Sequence, residues 1–301
     1  MSNRTKALLA CIAVFAMGAT AAAVAQTASF SYAIITLGGG FSETSGVAVD
    51  GSGNVYVADT TNNAVKEMPA GCASSSCVKT LGGGFADPNG VAVDGSGNVY
   101  VADYANSAVK EMPAGCASSS CVTKLGGGFR FPTGAAVDGS GNVYVGDAEN
   151  NAVYEMPAGC ASSSCVTTLG GGFYAPWGVA VDGSGNLYVA DSGNSAVKEM
   201  PAGCASSSCV TTLGGGFSAP DGVAVDGSGN VYVADQGNYA VKEMPAGCAS
   251  SSCVTTLGGG GFSSPRGVAV DGSGIVYVAY DGISAVKEIM TRGVNFFTVP
   301  V

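Results

Sequence analysis

Apolar residues come in short bursts along this chain, each four to six residues long and each ended by Gly, Ser, Asn, Asp or Pro. The stretch from 90 to 125 shows the pattern. Gly90-Val91-Ala92-Val93-Asp94 reads as a strand, Gly95-Ser96-Gly97 as a turn, and Asn98 to Asp103 as a second strand. Tyr104-Ala105-Asn106 turns the chain again, Ser107 to Met112 makes a third strand that Pro113 stops, and Cys121 to Leu125 makes a fourth. Short β-branched runs with such turn chemistry between them predict an antiparallel meander. The first two strands do not alternate apolar with polar. Val, Ala and Tyr stand at both parities, the pattern of a sheet covered on both faces.

The same meander recurs. The marker Val-Ala-Val-Asp-Gly-Ser-Gly places its Asp at Asp50, Asp94, Asp138 (here after Ala-Ala-Val), Asp182, Asp226 and Asp271. The spacing is 44 residues four times and then 45, because Gly261 is inserted. A period of this length makes each copy one supersecondary unit that buries its apolar faces only against its neighbours. The expected fold is therefore all-β: a six-bladed propeller of four-stranded antiparallel blades over residues 26–290, closed radially so that sheet edges are protected. Phe30 to Leu37 looks like the fourth strand of a repeat and completes the last blade, giving closure by the N-terminal strand. The tail, Val294 to Val301, is a second candidate for that strand, or the start of a truncated further domain over 291–301.

Within each unit the order Pro88-Asn89-Gly90-Val91-Ala92-Val93-Asp94, then Gly97 to Asp103, then Asn106 resembles the NHL repeat. The resemblance spans about residues 31–290 and implies a six-bladed propeller. It departs from the family where Arg commonly follows the turn Asn by two residues. Ala64, Ala108, Ala152, Ala196, Ala240 and Ala285 stand there instead. Six-bladed relatives that act as streptogramin or amidating lyases rely on histidine, and this chain has none.

Composition narrows the setting. Only 11% of residues are charged and the formal charge is −10. So acidic a chain with scattered cations would repel a phosphate backbone, which excludes nucleic acid as a partner. Residues 1–25 read as a signal peptide, with Arg4 and Lys6 before apolar Ala7 to Met17 and Ala23-Val24-Ala25 as the cleavage site. Secretion, or a periplasmic location, follows, with no membrane span in the mature chain. Ten cysteines fall in five pairs: Cys72/Cys77, Cys116/Cys121, Cys160/Cys165, Cys204/Cys209 and Cys248/Cys253. Each pair brackets Ala-Ser-Ser-Ser, a turn-like loop suited to a disulfide in an oxidising compartment. Pairs on different blades could not converge on one tetrahedral metal ion.

The absence of histidine removes Ser-His-Asp and Cys-His catalysis. The recurring Asp of Asp-Gly-Ser-Gly reads as a turn held by its own carboxylate rather than as a calcium loop. Asp59, Asp103, Asp147, Asp191 and Asp235 with the Asn three positions on read as turns too, while Tyr280 and Ile283 demand a different turn in the sixth copy. Glu67, Glu111, Glu155, Glu199, Glu243 and Glu288 read as a solvated or cross-strand face.

Variation between copies collects in two places. Before the first strand stand Ser45, Asn89, Thr133, Trp177, Asp221 and Arg266, one per unit, and the loops between second and third strands differ as well. In a propeller these two loop types share one face. Its predicted ligand-binding residues are Asn89, Thr133, Trp177, Asp221, Arg266, Tyr104 and Tyr239, with Phe131 and Tyr174 beside them. Stiff amphipathic aromatics among polar groups suit a protein, peptide or glycan partner. The expectation is a secreted, non-catalytic binding scaffold needing no cofactor or metal. The alternatives are a calcium-dependent hydrolase similar to gluconolactonase-type propellers, with Asn89, Asp221 and Asp87 supplying oxygens, and a structural envelope protein.

Overall fold

In a computed structural model, residues 33–259 and 261–290 are described, and they form six four-stranded antiparallel sheets. The expected signal segment, residues 30–32 of the expected closing strand and the tail from 291 lie outside the described residues. In blade two the strands are Pro88–Val93, Val99–Asp103, Ala108–Met112 and Thr123–Leu125, from the innermost to the outermost.

The outer strand is shorter than the sequence suggests. Cys121 does not open it but ends a 3-10 turn, Ser119–Cys121, which the Val122 N–H closes on Ser119 O at 3.3 Å. Cys77, Cys165, Cys209 and Cys253 end the same turn in their own repeats. The reason is the short bridge each of them makes. A bond to the cysteine five residues back holds the chain in a tight loop, and extended pairing begins only two residues later, at Thr123 in blade two.

Closure is by the N-terminal strand. Ile34–Leu37 forms the outer strand of blade six, pairing Ile34 with Ile289 and Leu37 with Val286. The other three strands of that blade are Pro265–Val270, Ile275–Tyr280 and Ala285–Met290.

The double-sided apolar pattern is explained by where the cores lie. There is one between each pair of neighbouring blades, and every sheet serves two. Blade one sends Ala48, Tyr56, Ala58 and Phe85 to meet Val91, Val99, Val101 and Met112 of blade two. Ala92, Tyr100 and Ala102, on the opposite parity of blade two, pack against blade three. Ala269, Tyr277 and Ala279 join Val47, Val55 and Val57 to close the circle. Each fully buried Val, Leu or Met in these layers stabilises by about 2 kcal/mol.

At the innermost strands the approach is too close for any side chain. A Cβ on Gly46 would lie 2.4 Å from Asn89 O, on Gly90 2.6 Å from Thr133 O, and on Gly134 2.3 Å from Trp177 O. The series continues through Gly178 and Gly222 to Gly267, whose Cβ would meet Ser45 O at 2.4 Å. These glycines set the diameter of the central channel.

All five cysteine pairs are disulfides: Cys72–Cys77, Cys116–Cys121, Cys160–Cys165, Cys204–Cys209 and Cys248–Cys253. The two halves of each bridge differ. Cys72, Cys116, Cys160, Cys204 and Cys248 are buried in the cores between blades, whereas Cys77, Cys121, Cys165, Cys209 and Cys253 are half-buried at the rim. Each loop also receives the chain leaving the preceding blade: Gly82 N–H donates to Cys116 O at 2.9 Å, and Gly126 N–H to Cys160 O at 2.8 Å. The disulfide loops are therefore clasps between blades as well as hairpin staples. No helix among the described residues is long and apolar enough to cross a membrane.

Candidate functional site

The one-per-blade variable residue does not precede the first strand, as the sequence suggested, but lies within it. Pro88 pairs with Asp103 while Gly90 pairs with Ala102, so Asn89 is the extra residue of a β-bulge. The same register shift falls at Ser45, Thr133, Trp177, Asp221 and Arg266. A bulge re-aims its side chain. Here it turns six different residues inward, and all six line the channel at one level around an open volume of about 60 Å³. Below this ring the wall is only Val and Ala, such as Val91, Ala92 and Val93, around about 200 Å³. Above it, Glu43, Thr60, Asp87 and Tyr104 widen the mouth to about 280 Å³, which Ser45, Asn89, Trp177 and Arg266 also line.

The six are not equivalent. Thr133 is buried, and its hydroxyl lies 3.1–3.2 Å from the carbonyls of Gly146, Pro176 and Trp177, so it is spent on the fold. Ser45 is buried and 2.9 Å from the Thr60 hydroxyl. Arg266 donates to Asp281 Oδ2 at 3.1 Å and carries its guanidinium 5.9 Å from the centre of the Trp177 ring. Asp221 is only 6% exposed, and neither its Oδ2 nor the buried Nε of Arg266 makes a hydrogen bond. Burial pushes the Asp221 carboxyl up to about 7, with Arg266 partly offsetting the rise.

In the loops of the same face, Tyr174 and Tyr239 are each 60% exposed, and Tyr104 stacks on Phe131 at 4.7 Å. The loops that carry them are conformationally demanding. Asp87, Phe131, Ala175 and Ala219 before the inner strand, and Ser107, Ser195 and Tyr239 before the third, all have φ between 42° and 54°. Side-chain acceptors link these positions between blades, as where Asp87 N–H donates to Asn63 Oδ1 at 2.8 Å.

Beneath the loops lies a motif that reading single repeats missed. Asp103 is fully buried, accepts from the Ala86 N–H at 2.7 Å and from Asn106 at 2.8 Å, and meets Lys110 Nζ at 2.5 Å. Lys110 also donates to Gly84 O at 2.6 Å and sits 5.3 Å from the Phe85 ring centre. Asp191–Lys198 and Asp235–Lys242 repeat the arrangement. Blade three has Tyr154 in place of the Lys, and burial raises the Asp147 carboxyl above its ordinary value. In blade six Tyr280 replaces the Asp, and Lys287 lies 4.9 Å from its ring centre. The signal was in the sequence: Asp and Lys recur seven apart, and Phe precedes each Pro.

On the opposite end, the turn reading of the other Asp series is what the hydrogen bonds show. Asp94 Oδ1 accepts from the N–H groups of Ser96 and Asn98, and Oδ2 from Asn98 Nδ2 and the Tyr100 hydroxyl. Burial works against ionisation, but these donors hold Asp94 below its ordinary pKa. Of the two readings of the third-strand Glu, the cross-strand one holds: Glu111 accepts from Tyr100, its partner on the second strand, at 3.3 Å, and Glu288 is 2% exposed. Among the described residues no group of three or more Asp, Glu or Cys is placed to hold a metal ion.

Four stretches, residues 41–67, 85–111, 129–153 and 173–199, match the NHL repeat. No curated protein matches the chain by sequence. Similar solved structures include virginiamycin B lyase of Staphylococcus aureus, at 10% identity and TM-score 0.59, covering 87% of this chain and 99% of that one. A Bacteroides thetaiotaomicron protein of unknown function gives 18% and 0.65, over 85% of this chain and 75% of its own. Hydrazine synthase of Kuenenia stuttgartiensis gives 12% and 0.62, over 85% and 97%. At these identities the likeness is one of fold.

Proposed function

We propose that this chain is a secreted, non-catalytic recognition module, stapled by disulfides, that binds a protein, peptide or glycan through the face where its repeats differ. The observation carrying this reading is the contrast between the two ends of the molecule. At one end the Gly-Ser-Gly and Cys loops are nearly invariant between copies; at the other, six bulges place six different residues on one channel ring, and Tyr174 and Tyr239 stand exposed in the loops of that face. Duplicated units that diverge on one loop face are what a rigid scaffold with a recognition surface acquires.

A lyase reading draws nothing from the structural likeness to virginiamycin B lyase. One solved form of that enzyme is described as catalytically inactive with a single histidine replaced by alanine. This chain has no histidine to serve in such a role. A calcium-dependent hydrolase would need six to eight oxygens on the ion; the channel ring brings one carboxylate, Asp221, beside the Arg266 cation, and Glu43 and Asp87 stand above it at the mouth.

The test is to probe glycan and peptide arrays with oxidised, secreted protein, with and without calcium. Binding independent of calcium and lost when the variable face is altered, in Trp177→Ala or in Tyr174→Ala/Tyr239→Ala, supports the reading. Folded protein that binds nothing refutes it and favours a structural envelope role, and chelator-sensitive hydrolysis would favour the enzyme.

A further inference from the structure

Two buried polar atoms on the same ring have no hydrogen-bond partner: Asp221 Oδ2, an acceptor, and Arg266 Nε, a donor. They belong to neighbouring blades. Their inner strands approach so closely that a Cβ on Gly222 would lie 2.4 Å from Arg266 O. Leaving such atoms unpaired is unfavourable, and the channel is the route by which a partner reaches them.

The chemistry of that partner is constrained. An ammonium only donates and would leave Arg266 unsatisfied, while a carboxylate only accepts and would be repelled by Asp221 in its ionised form. A hydroxyl donates and accepts at once. The space fits in two stages: about 60 Å³ at the ring admits a hydroxyl or hydroxymethyl group, and the 280 Å³ mouth above admits the body that carries it. Trp177 and Tyr104 wall that mouth with flat apolar surface beside the Asn89 amide.

We propose that the channel mouth is a subsite for a terminal sugar, which seats its ring between Trp177 and Tyr104 and directs one hydroxyl to Asp221 and Arg266. This rests on the recognition reading above and selects the glycan among its partners. Tyr174 and Tyr239, which do not line that mouth, take no part in this subsite.

The experiment titrates methyl hexosides and the matching pentosides, which lack the hydroxymethyl group, against the full oxidised chain. It follows the fluorescence of Trp177, the only tryptophan. A saturable change is expected with at least one hexoside, weakened tenfold or more in Asp221→Asn and unchanged in Lys66→Met on the outer edge. Circular dichroism checks that each variant is folded. A peptide arm uses peptides ending in Asn or Gln, whose amides also donate and accept. Peptide binding that needs Tyr174 and Tyr239 but ignores Asp221→Asn would overturn the sugar subsite and leave the recognition face standing. So would glycoside binding indifferent to Asp221→Asn, whereas no binding by any probe overturns both.

Discussion

Replacing Asp221 by Asn removes a carboxyl group that folding takes almost wholly out of water, and the consequence for stability depends on pH in a defined way. In the folded chain burial raises this carboxyl from 3.8 to about 7, with Arg266 pulling the other way. Below pH 3.8 both folded and unfolded states are protonated, and the group contributes no pH dependence. Between 3.8 and 7 the unfolded chain ionises while the folded one holds its proton, so stability falls with rising pH by about 1.4 kcal/mol per unit. Above 7 the penalty is complete, at about 4 kcal/mol. Asn cannot ionise, so its advantage over the parent should be constant below pH 4, climb through this window and level off above 7. Any fixed effect of the buried amide shifts the whole curve without changing its slope. The turn carboxylates, Asp94, Asp138 and Asp226, are depressed and lose their contribution as pH falls below their folded values. They are common to both proteins and cancel in the difference. The assay is guanidinium unfolding of parent and variant from pH 3 to 9, read by Trp177 fluorescence. Asp147, which burial also raises, is common to both proteins and cancels in the difference too. A stability difference that changes by less than about 1 kcal/mol between pH 4 and 8 would refute the reasoning.

Gly178→Ala places a Cβ 2.6 Å from Asp221 O and should destabilise by about 1–3 kcal/mol. Gly183→Ala, whose Cβ meets nothing within 4 Å, should stay within about 0.5 kcal/mol in the same denaturation series. Lys198→Met strips the buried Asp191 of its cation and should cost about 2 kcal/mol. Lys66→Met, where the ammonium reaches only the exposed Thr80 hydroxyl, should cost under about 1 kcal/mol; equal losses would show that burial of the pair is irrelevant. Replacing both Cys116 and Cys121 by Ala should lower stability by about 2 kcal/mol, and thiol reductant should then have one fewer bridge to remove, as mass spectrometry would count.

What the sequence made legible is what neighbouring residues determine. Val99-Tyr100-Val101 is a strand by propensity, Gly95-Ser96-Gly97 a turn, and six copies set the number of blades. The site was legible as a list of varying positions, but not as a ring. Asn89 and Asp221 face the channel only because a bulge adds one residue against the second strand, and bulges follow from pairing rather than from composition. Tyr104 and Phe131 similarly looked like separate exposed aromatics, yet they stack across two blades. The unpaired state of Asp221 was hidden as well, since it depends on Arg266 turning toward Asp281 instead. The Asp–Lys pairs were missed because each was read within its own turn or strand, while their geometry joins both to the glycine-rich crossing between blades.

Blade six differs from the others in how it is joined. Its outer strand, Ile34–Leu37, meets Ala285–Met290 through hydrogen bonds and the packing of Leu37 on Val286, with no Cys pair ahead of it to close a disulfide loop such as the other blades have. Ile34–Leu37 leaves the ribosome before the strand it pairs with and must wait until all six repeats exist to find its place, the kind of distant pairing that slows folding. During that wait an identical strand from another molecule is an equally good partner. Dilution while the chain refolds should thus govern the yield of single rings, and crowded chains should exchange first strands to give linked pairs.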